Sequence, residues 1–301
     1  MLDFRMKTFL MVCECMNFTR AAEELNITQP AVSQHVRHLE NYYNTRLFHY
    51  EGKKLRLTDA GEMLRNASLT MMHDESSLKG RIEHLSEGRR NIRFGATMTV
   101  GEVVMPGVLK QYLENDPEVH LHMEVANTQE LLNRLDNGKI DFAIVEGFFK
   151  KTEYDFLHYS TEKYVAVCSP SYRFQKIPVR LEDVFCERLL LREPGSGTRE
   201  VLERFLDSQN YSMEDFEKTA EIGSLHTIKE LAKAGCGITF LYEIAVKEEL
   251  EKGELKLINL ENCQIYHDFT FIWPRGSIYA DTYSGLFQQF AGNAPYFIYD
   301  I

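Results

Sequence analysis

The first 57 residues carry apolar positions at helical spacing, followed by a stretch with strand spacing. Apolar residues three to four positions apart predict a first helix around Phe9. Thr19 and Thr28 are residue types that cap helix starts, so they predict a second and a third helix, the latter with Pro30 in its first turn. Two short apolar runs on either side of residues 51–54 predict a hairpin of two strands.

The predicted third helix has two distinct faces. Val32, Val36 and Leu39 fall within an arc of about 60° at 100° per residue, which predicts the buried face. The polar residues fall on another face: Gln29, Pro30, Ser33, Gln34 and Arg37. An α-helix fits the DNA major groove, and Gln and Arg can make bidentate contacts with bases. The pattern therefore favours a DNA-reading helix-turn-helix, and a small helical bundle with a solvated polar face is the alternative.

The rest of the chain begins with one long helix and continues as alternating strands and helices. Leu64, Met71, Leu78 and Leu85 recur every seven residues between Thr58 and Ser86, which predicts a helix that pairs with another helix. From Asn91 onward, strand-like and helix-like segments alternate. This order predicts an α/β architecture, most simply two open sheets with helices on both faces.

Length and composition are those of a globular protein of two domains or slightly more. The chain has 301 residues, of which 44% are hydrophobic and 26% charged. No apolar run approaches the roughly 18 residues of a membrane span, and we identify no signal peptide, so we expect a cytoplasmic protein. The six cysteines are too few for a disulfide scaffold, and we expect thiols.

The net charge of −11 is unevenly distributed. Residues 1–90 carry 13 Lys and Arg against 12 Asp and Glu, whereas residues 91–301 carry 21 against 33. Lys53 and Lys54 lie at the tip of the predicted hairpin, where they suit phosphate contacts beside a groove. A local basic surface on an acidic chain is typical of a DNA binder with a separate sensing domain.

Five motifs in the first 61 residues resemble a known signature. They are Phe18-Thr19-Arg20-Ala21-Ala22, Gln29-Pro30-Ala31-Val32-Ser33, Leu39-Glu40, Arg46-Leu47-Phe48 and Leu57-Thr58-Asp59-Ala60-Gly61. In order and spacing they resemble the N-terminal signature of the LysR-type transcriptional regulators, and the resemblance extends over essentially the whole chain. One departure is Tyr50, because many members have Arg at this position, two residues after the Leu-Phe pair.

The resemblance implies three parts. These are a winged helix-turn-helix DNA-binding domain at 1–58, a linker and dimerisation helix at 59–88, and a periplasmic-binding-protein-like effector domain at 91–301. The effector domain has two α/β lobes, lobe I at about 91–161 and 266–301 and lobe II at about 162–265. Family members assemble as dimers or tetramers. The DNA-contacting candidates are Thr28, Gln29, Pro30, Ser33, Gln34, Arg37, Lys53 and Lys54.

The effector domain implied at 91–301 carries Ser and Thr at several turns from strand to helix. Free N–H groups and the helix dipole favour an anion at such turns, and glycines in the run from Glu193 to Arg199 let the backbone approach a ligand. Plain helix capping is the alternative for each hydroxyl. The effector-binding candidates are Thr97, Thr99, Asn127, Thr128, Glu146, Ser196, Thr198 and Ser224.

The effector turns are similar to those of the family's cysteine-biosynthesis and carbon-fixation regulators, whose effectors are small and often anionic metabolites. Glu146 favours a ligand that also carries a donor or ammonium group. The sequence thus predicts a regulator that binds duplex DNA and a small, anionic effector and that self-associates. The alternative is a soluble metabolite-binding protein or enzyme with an accessory helical domain.

Other chemistries find little support in the sequence. There is no Gly-rich phosphate loop, nucleophile elbow or metalloprotease motif, so we expect neither an enzyme nor a cofactor. His120 and His122 share one face of a predicted strand but have no third ligand in view, so we expect no metal site. The cysteines show no resolving pair of the kind that a redox sensor uses.

Overall fold

The structure is a computed structural model that describes residues 3–83, 90–261 and 263–292. Its amino-terminal part consists of three helices and a hairpin: α1 (Phe4–Cys15), α2 (Phe18–Glu24), α3 (Gln29–Tyr42), β1 (Phe48–Glu51) and β2 (Lys54–Leu57). Thr28 caps α3 as predicted, since its hydroxyl accepts the Ala31 N–H. Thr19 does not cap α2, because the Asn17 side chain accepts the backbone N–H of both Thr19 and Arg20.

This part has a core of its own. Phe9, Val12, Val32 and Val36 are buried in it, and Phe48 of the hairpin packs against Phe9 with ring centroids 5.5 Å apart. The buried face of α3 is therefore the predicted one, and its polar face is left toward solvent.

A single long helix, α4 (Asp59–Glu83), connects this part to the rest of the chain. The end of the predicted linker helix, residues 84–88 with Leu85, lies outside the described residues. Leu64 packs against the amino-terminal core, whereas Met71, Leu78 and Ile82 are exposed. At 100° per residue these three residues lie within about 40° of one another, so they form one apolar stripe on α4.

The carboxyl-terminal part is a nine-stranded sheet flanked by helices. Its strands are β3 (Asn91–Ala96), β4 (His120–Val125), β5 (Phe142–Val145), β6 (Tyr154–Cys168), β7 (Arg188–Leu191), β8 (Lys218–Glu221), β9 (Ile238–Tyr242), β10 (Lys256–Leu257) and β11 (Ile265–Pro274). Its helices are α5 (Met105–Asn115), α6 (Thr128–Asp136), α7 (Gly197–Ser208), α8 (Leu225–Lys233), α9 (Glu243–Glu251) and α10 (Ala280–Gly292).

The expectation of two separate sheets is wrong. The strand order is β4-β3-β5-β11-β6-β9-β7-β8, with β10 paired to β6, so one hydrogen-bonded sheet spans both lobes. The connection arises because β6 is 15 residues long, pairing with β11 over Tyr154–Tyr164 and with β9 over Tyr164–Val167. In each lobe the short strands are parallel, namely β3 with β4 and β5, and β7 with β8 and β9. The carboxyl ends of parallel strands are where a ligand crevice forms in such sheets.

No helix within the described ranges is long and apolar enough to cross a membrane.

Candidate functional site

The predicted DNA-contacting residues lie on one exposed surface. Thr28, Gln29, Pro30, Gln34 and Arg37 of the α3 region are exposed, Ser33 is half-buried, and Lys53 and Lys54 are exposed on the hairpin. Gln29 donates a hydrogen bond from Nε2 to the Ser33 hydroxyl at 3.0 Å, which orients its amide along the helix surface. The polar face is therefore preformed and open to a duplex.

The exposed polar face of α3 and the hairpin border a common groove. Gln29, Ser33, Tyr50 and Lys53 line it, together with Thr19, around a volume of about 450 Å³. The turn that carries Lys53 is tight, and Gly52 supplies its positive φ of 62°. Tyr50 is 67% exposed, so it presents a phenol to this groove. Sequence reasoning singled out Tyr50 only as a departure from the family and did not place it beside Gln29.

The base of α3 is held by an acidic side chain. Glu40 accepts hydrogen bonds from Arg46 at 2.8 Å and from the backbone N–H of Leu47 at 3.0 Å. These contacts join the end of α3 to the start of the hairpin. The orientation of the hairpin relative to α3 is thus fixed by a charge-assisted hydrogen bond.

The predicted effector residues lie at the turns that follow the strands of the two lobes. Thr97 and Thr99 follow β3, Glu146 follows β5, and Ser196 and Thr198 stand at the start of α7; each is at most 2% exposed. Thr99 does not cap a helix, since it lies within a turn that continues into a π-helical segment, Val100–Val104. π-helical turns within α-helices occur frequently at functional sites.

Glu146 joins the two lobes. Thr198 of lobe II donates a hydrogen bond to Glu146 Oε1 at 3.0 Å, and the Glu146 backbone N–H donates to the Thr97 hydroxyl at 3.3 Å. A Cβ atom added to Gly197 would lie 2.7 Å from the Gly147 nitrogen, so the backbones of the two lobes touch at this point. The lobes are therefore closed upon each other around the carboxyl group.

Burial raises the pKa of the Glu146 carboxyl, although the Thr99 and Thr198 hydroxyls and the charge of Arg192 oppose that effect. Arg192 is 3% exposed and forms two hydrogen bonds of 2.8 Å to Glu193. The same carboxyl charge, added to burial, raises the pKa of Tyr242. Glu146 is thus close to a guanidinium and a phenol that sequence reasoning did not propose for the site.

Several polar atoms of this cleft are buried without a hydrogen bond of ordinary geometry to any described residue: Thr99 Oγ1, Thr128 Oγ1, Glu146 Oε2, Arg192 Nη1, Ser196 Oγ and Tyr242 Oη. Unsatisfied buried polar groups are costly, and a cluster of them is expected where a ligand binds. The set contains a guanidinium and hydroxyl donors as well as a carboxylate acceptor. The cleft can therefore hold a small ligand that has both acceptor and donor groups.

Two of the proposed residues are occupied as helix caps. The Asn127 side chain accepts the Glu130 N–H at 2.9 Å, and the Ser224 hydroxyl accepts the Thr227 N–H at 3.2 Å. Capping accounts for the presence of both residues without a ligand. Asn127 also lies 3.7 Å from the Cβ position of Gly195, so its amide faces lobe II.

The described ranges contain no group of three or more His, Cys, Asp and Glu residues arranged to hold a metal ion. His122 contacts the carboxylate of Glu124 at 3.2 Å. Burial raises the pKa of Cys13 to about 12 and that of Cys168 to about 11, which disfavours the reactive thiolate form.

Comparison with protein families decides the assignment. Residues 4–62 match the model of bacterial regulatory helix-turn-helix proteins of the lysR family, and residues 86–290 match the LysR substrate binding domain. The chain belongs to the LysR family of transcriptional regulators. This LysR-family chain is thus a DNA-binding regulator with an effector-binding domain, and its relatives are named as regulators rather than enzymes.

Individual relatives agree in architecture. The chain is 27% identical to the regulator CysL of Bacillus subtilis over 270 residues, and this match covers 89% of each protein. Full-length LysG from Corynebacterium glutamicum with bound effector Arg has a TM-score of 0.60 at 18% identity, covering 98% of this chain and 99% of LysG. The CcmR regulatory domain of Synechocystis in complex with 2-PG has a TM-score of 0.60 at 17% identity, covering 68% of this chain and 98% of that domain.

Proposed function

We propose that this LysR-family regulator reads duplex DNA with the exposed face of α3 and holds phosphates with the hairpin. The observation that carries the proposal is the outward placement of Gln29, Gln34 and Arg37 on a helix whose other face is buried. Gln and Arg distinguish adenine and guanine by bidentate hydrogen bonds in the major groove. Lys53 and Lys54 at the hairpin tip add sequence-independent affinity.

We propose that the effector is a small metabolite with an anionic group and at least one N–H or O–H donor. Arg192 and the helix starts of the cleft favour the anion, whereas Glu146 Oε2 accepts the donor. Thr97, Thr99, Thr128, Ser196 and Thr198 supply hydroxyls, and Asn127 and Ser224 contribute as helix caps at the rim. Small ligands are also bound by the two structural neighbours, Arg by LysG and 2-PG by the CcmR regulatory domain.

The proposed mechanism is a shift between lobe arrangements. A ligand that binds the closed cleft more tightly than the open one increases the population of the closed form. Two chains that pair through the apolar stripe of α4 would place two recognition helices on half-sites about 34 Å apart. The lobe arrangement would then set the spacing or bend of the bound DNA. We place this activity in the cytoplasm, where the regulated DNA lies.

The test of this function is a mobility-shift measurement with the DNA upstream of the protein's own gene, in excess nonspecific DNA. We expect Arg37→Ala to weaken specific binding by about 1–3 kcal/mol, which is about 5- to 150-fold, because a base contact is lost. The matched control is Arg180→Ala, which removes an exposed arginine from lobe II. Equal losses in both variants would mean that binding follows total charge, and no specific binding by the unaltered chain would refute the proposal.

A further inference from the structure

A second face of α4 lies against lobe I of the same chain, and it is polar. His73 is 0% exposed and Asp74 is 9% exposed, although both are titratable residues on a helix that connects two domains. Ser77 is buried beside them. Burial of charged groups is costly unless they are paired and hydrogen-bonded, so this face needs specific partners in lobe I.

Asp74 is held by the loop that follows β11. Its Oδ1 accepts a hydrogen bond from the Ser277 hydroxyl, and its Oδ2 accepts one from the backbone N–H of Ile278 at 3.0 Å. Burial alone would raise the pKa of Asp74, but hydrogen bonds from His73, Ser277 and Ile278 outweigh burial and lower it. Asp74 is therefore an ionised carboxylate bound by lobe I.

His73 bridges Asp74 and the residue that precedes β5. Its Nδ1 lies 3.3 Å from Asp74 Oδ1, and its Nε2 lies 3.1 Å from the carbonyl oxygen of Asp141. Both partners are acceptors, so the doubly protonated ring satisfies both contacts, whereas the neutral ring can donate to only one. Asp141 is itself fixed, because its carboxylate accepts hydrogen bonds from Ser77 and from Arg93 at 2.8 Å.

Two strands connect these contacts to the effector cleft. Asp141 and Glu146 stand at opposite ends of β5, whose four residues span about 13 Å. Ser277 follows the end of β11, and His267 on the same strand hydrogen-bonds the backbone of Glu146. A movement of the Glu146 turn therefore reaches the linker helix along paired strands of one sheet.

We propose that His73 and Asp74 are positioning residues. Their hydrogen bonds with Asp141 and Ser277, which we call the joint, fix the linker helix to lobe I. This joint makes the DNA-binding domain follow lobe I when the effector cleft changes. The proposal rests on the proposed regulatory function and adds the residues through which the sensing lobe directs the DNA-binding part.

The joint itself is tested by hydrogen exchange of the full chain. Asp74→Asn keeps the size of the side chain but removes its charge and one acceptor, so we expect faster exchange in the segment 275–283. His73→Gln, which can donate to only one of the two acceptors, should act in the same direction. Lys79→Ala is the control, because Lys79 is exposed on the same helix and pairs only loosely with Glu83 at 3.9 Å. Unchanged exchange in both joint variants would overturn the joint.

The coupling is tested on the upstream DNA by circular-permutation mobility shifts. We expect Asp74→Asn to bind with affinity near that of the unaltered chain, because α3 is untouched, but with a different DNA bend angle. An unchanged bend in a variant that exchanges faster would overturn the coupling. Failure of the unaltered chain and of Lys79→Ala to bind at all would instead refute the proposed regulatory function.

Discussion

Burial of the Glu146 carboxyl group lowers the stability of the folded chain, and the fold alone does not explain why this group is retained. Thr198 donates a hydrogen bond to one carboxylate oxygen, and the other, Oε2, forms no hydrogen bond of ordinary geometry with any described residue. Burial raises its pKa, which means that the ionised form is less stable in the folded chain than in the unfolded one. Proteins retain such costs at sites that bind ligands, where stability is given up for function.

This cost makes a prediction about pH and stability. Because the pKa of Glu146 is raised, its contribution to the stability of the unaltered chain falls as pH rises above about 4.5, the ordinary pKa of the group. Glu146→Gln removes that contribution, and each unit by which the pKa is raised corresponds to about 1.4 kcal/mol. We therefore expect Glu146→Gln to melt at a higher temperature than the unaltered chain at pH 8 and at a similar temperature at pH 4.

The control for this comparison is Glu251→Gln, because Glu251 is exposed on α9. Its melting temperature should follow that of the unaltered chain at both pH values. Parallel curves for Glu146→Gln and the unaltered chain would contradict the assignment of the cost to Glu146.

Local sequence patterns predicted the hydroxyl-bearing residues of the cleft but not Arg192, the charged residue near Glu146. Ser196 and Thr198 could be proposed because they stand in a Gly-rich turn between a strand and a helix. Arg192 follows β7 directly, which was a signal available in the sequence, but its burial beside Glu146 depends on the contact between lobes. Such contacts join residues about 50 positions apart, and no local pattern encodes them.

At the scale of elements, α4 contains two glycines with opposite surroundings. A Cβ atom at Gly61 would lie 2.2 Å from the carbonyl oxygen of Leu47, whereas nothing lies within 4 Å of that position at Gly80. Gly61 therefore permits the start of α4 to contact the chain just before β1. Gly80 has no such reason in the described structure.

The two glycines give a paired prediction. Gly61→Ala should destabilise the protein by about 1–3 kcal/mol, because the added methyl group meets backbone that cannot rotate away. Gly80→Ala should stabilise it by about 0.5–1 kcal/mol, because alanine favours the helix and restricts the unfolded chain. Thermal unfolding of both variants against the unaltered chain measures the difference. Changes of the same sign would contradict the packing described for Gly61.

Element prediction from sequence failed where strands pass between lobes. β6 runs through both lobes over 15 residues, Tyr154–Cys168. Only Tyr154 and Tyr159 are buried in its first ten residues, whereas its last five residues are all buried. A strand whose burial changes in this way has no single period for a sequence pattern to reveal.

At the scale of the whole molecule, α4 has two faces with different surroundings. Its polar face is bound to lobe I, and its apolar stripe of Met71, Leu78 and Ile82 is exposed in the single chain. Exposed apolar residues arranged in one stripe mark an association surface. The sequence spacing predicted Met71 and Leu78 for this role, but not that Leu64 packs on the amino-terminal core.

Leu78→Glu should weaken self-association, because it places a charge within the stripe that pairs two chains. We expect a lower average mass in sedimentation at micromolar concentration, with the unfolding temperature of each domain retained. Ile177→Glu is the matched control, since Ile177 is 83% exposed on lobe II. A mass that stays unchanged in Leu78→Glu, or that falls equally in both variants, would show that the chains pair elsewhere.

The close approach of Gly197 to Gly147 has a mechanical consequence. The two lobes cannot close further than this contact, because it joins two backbones rather than side chains that can adjust. One methyl group at this contact would keep the two backbones apart. In the proposed mechanism it would therefore hold the lobes, which β6 connects, in a more open arrangement. An effector would then change how often the lobes reach full closure rather than how far they close.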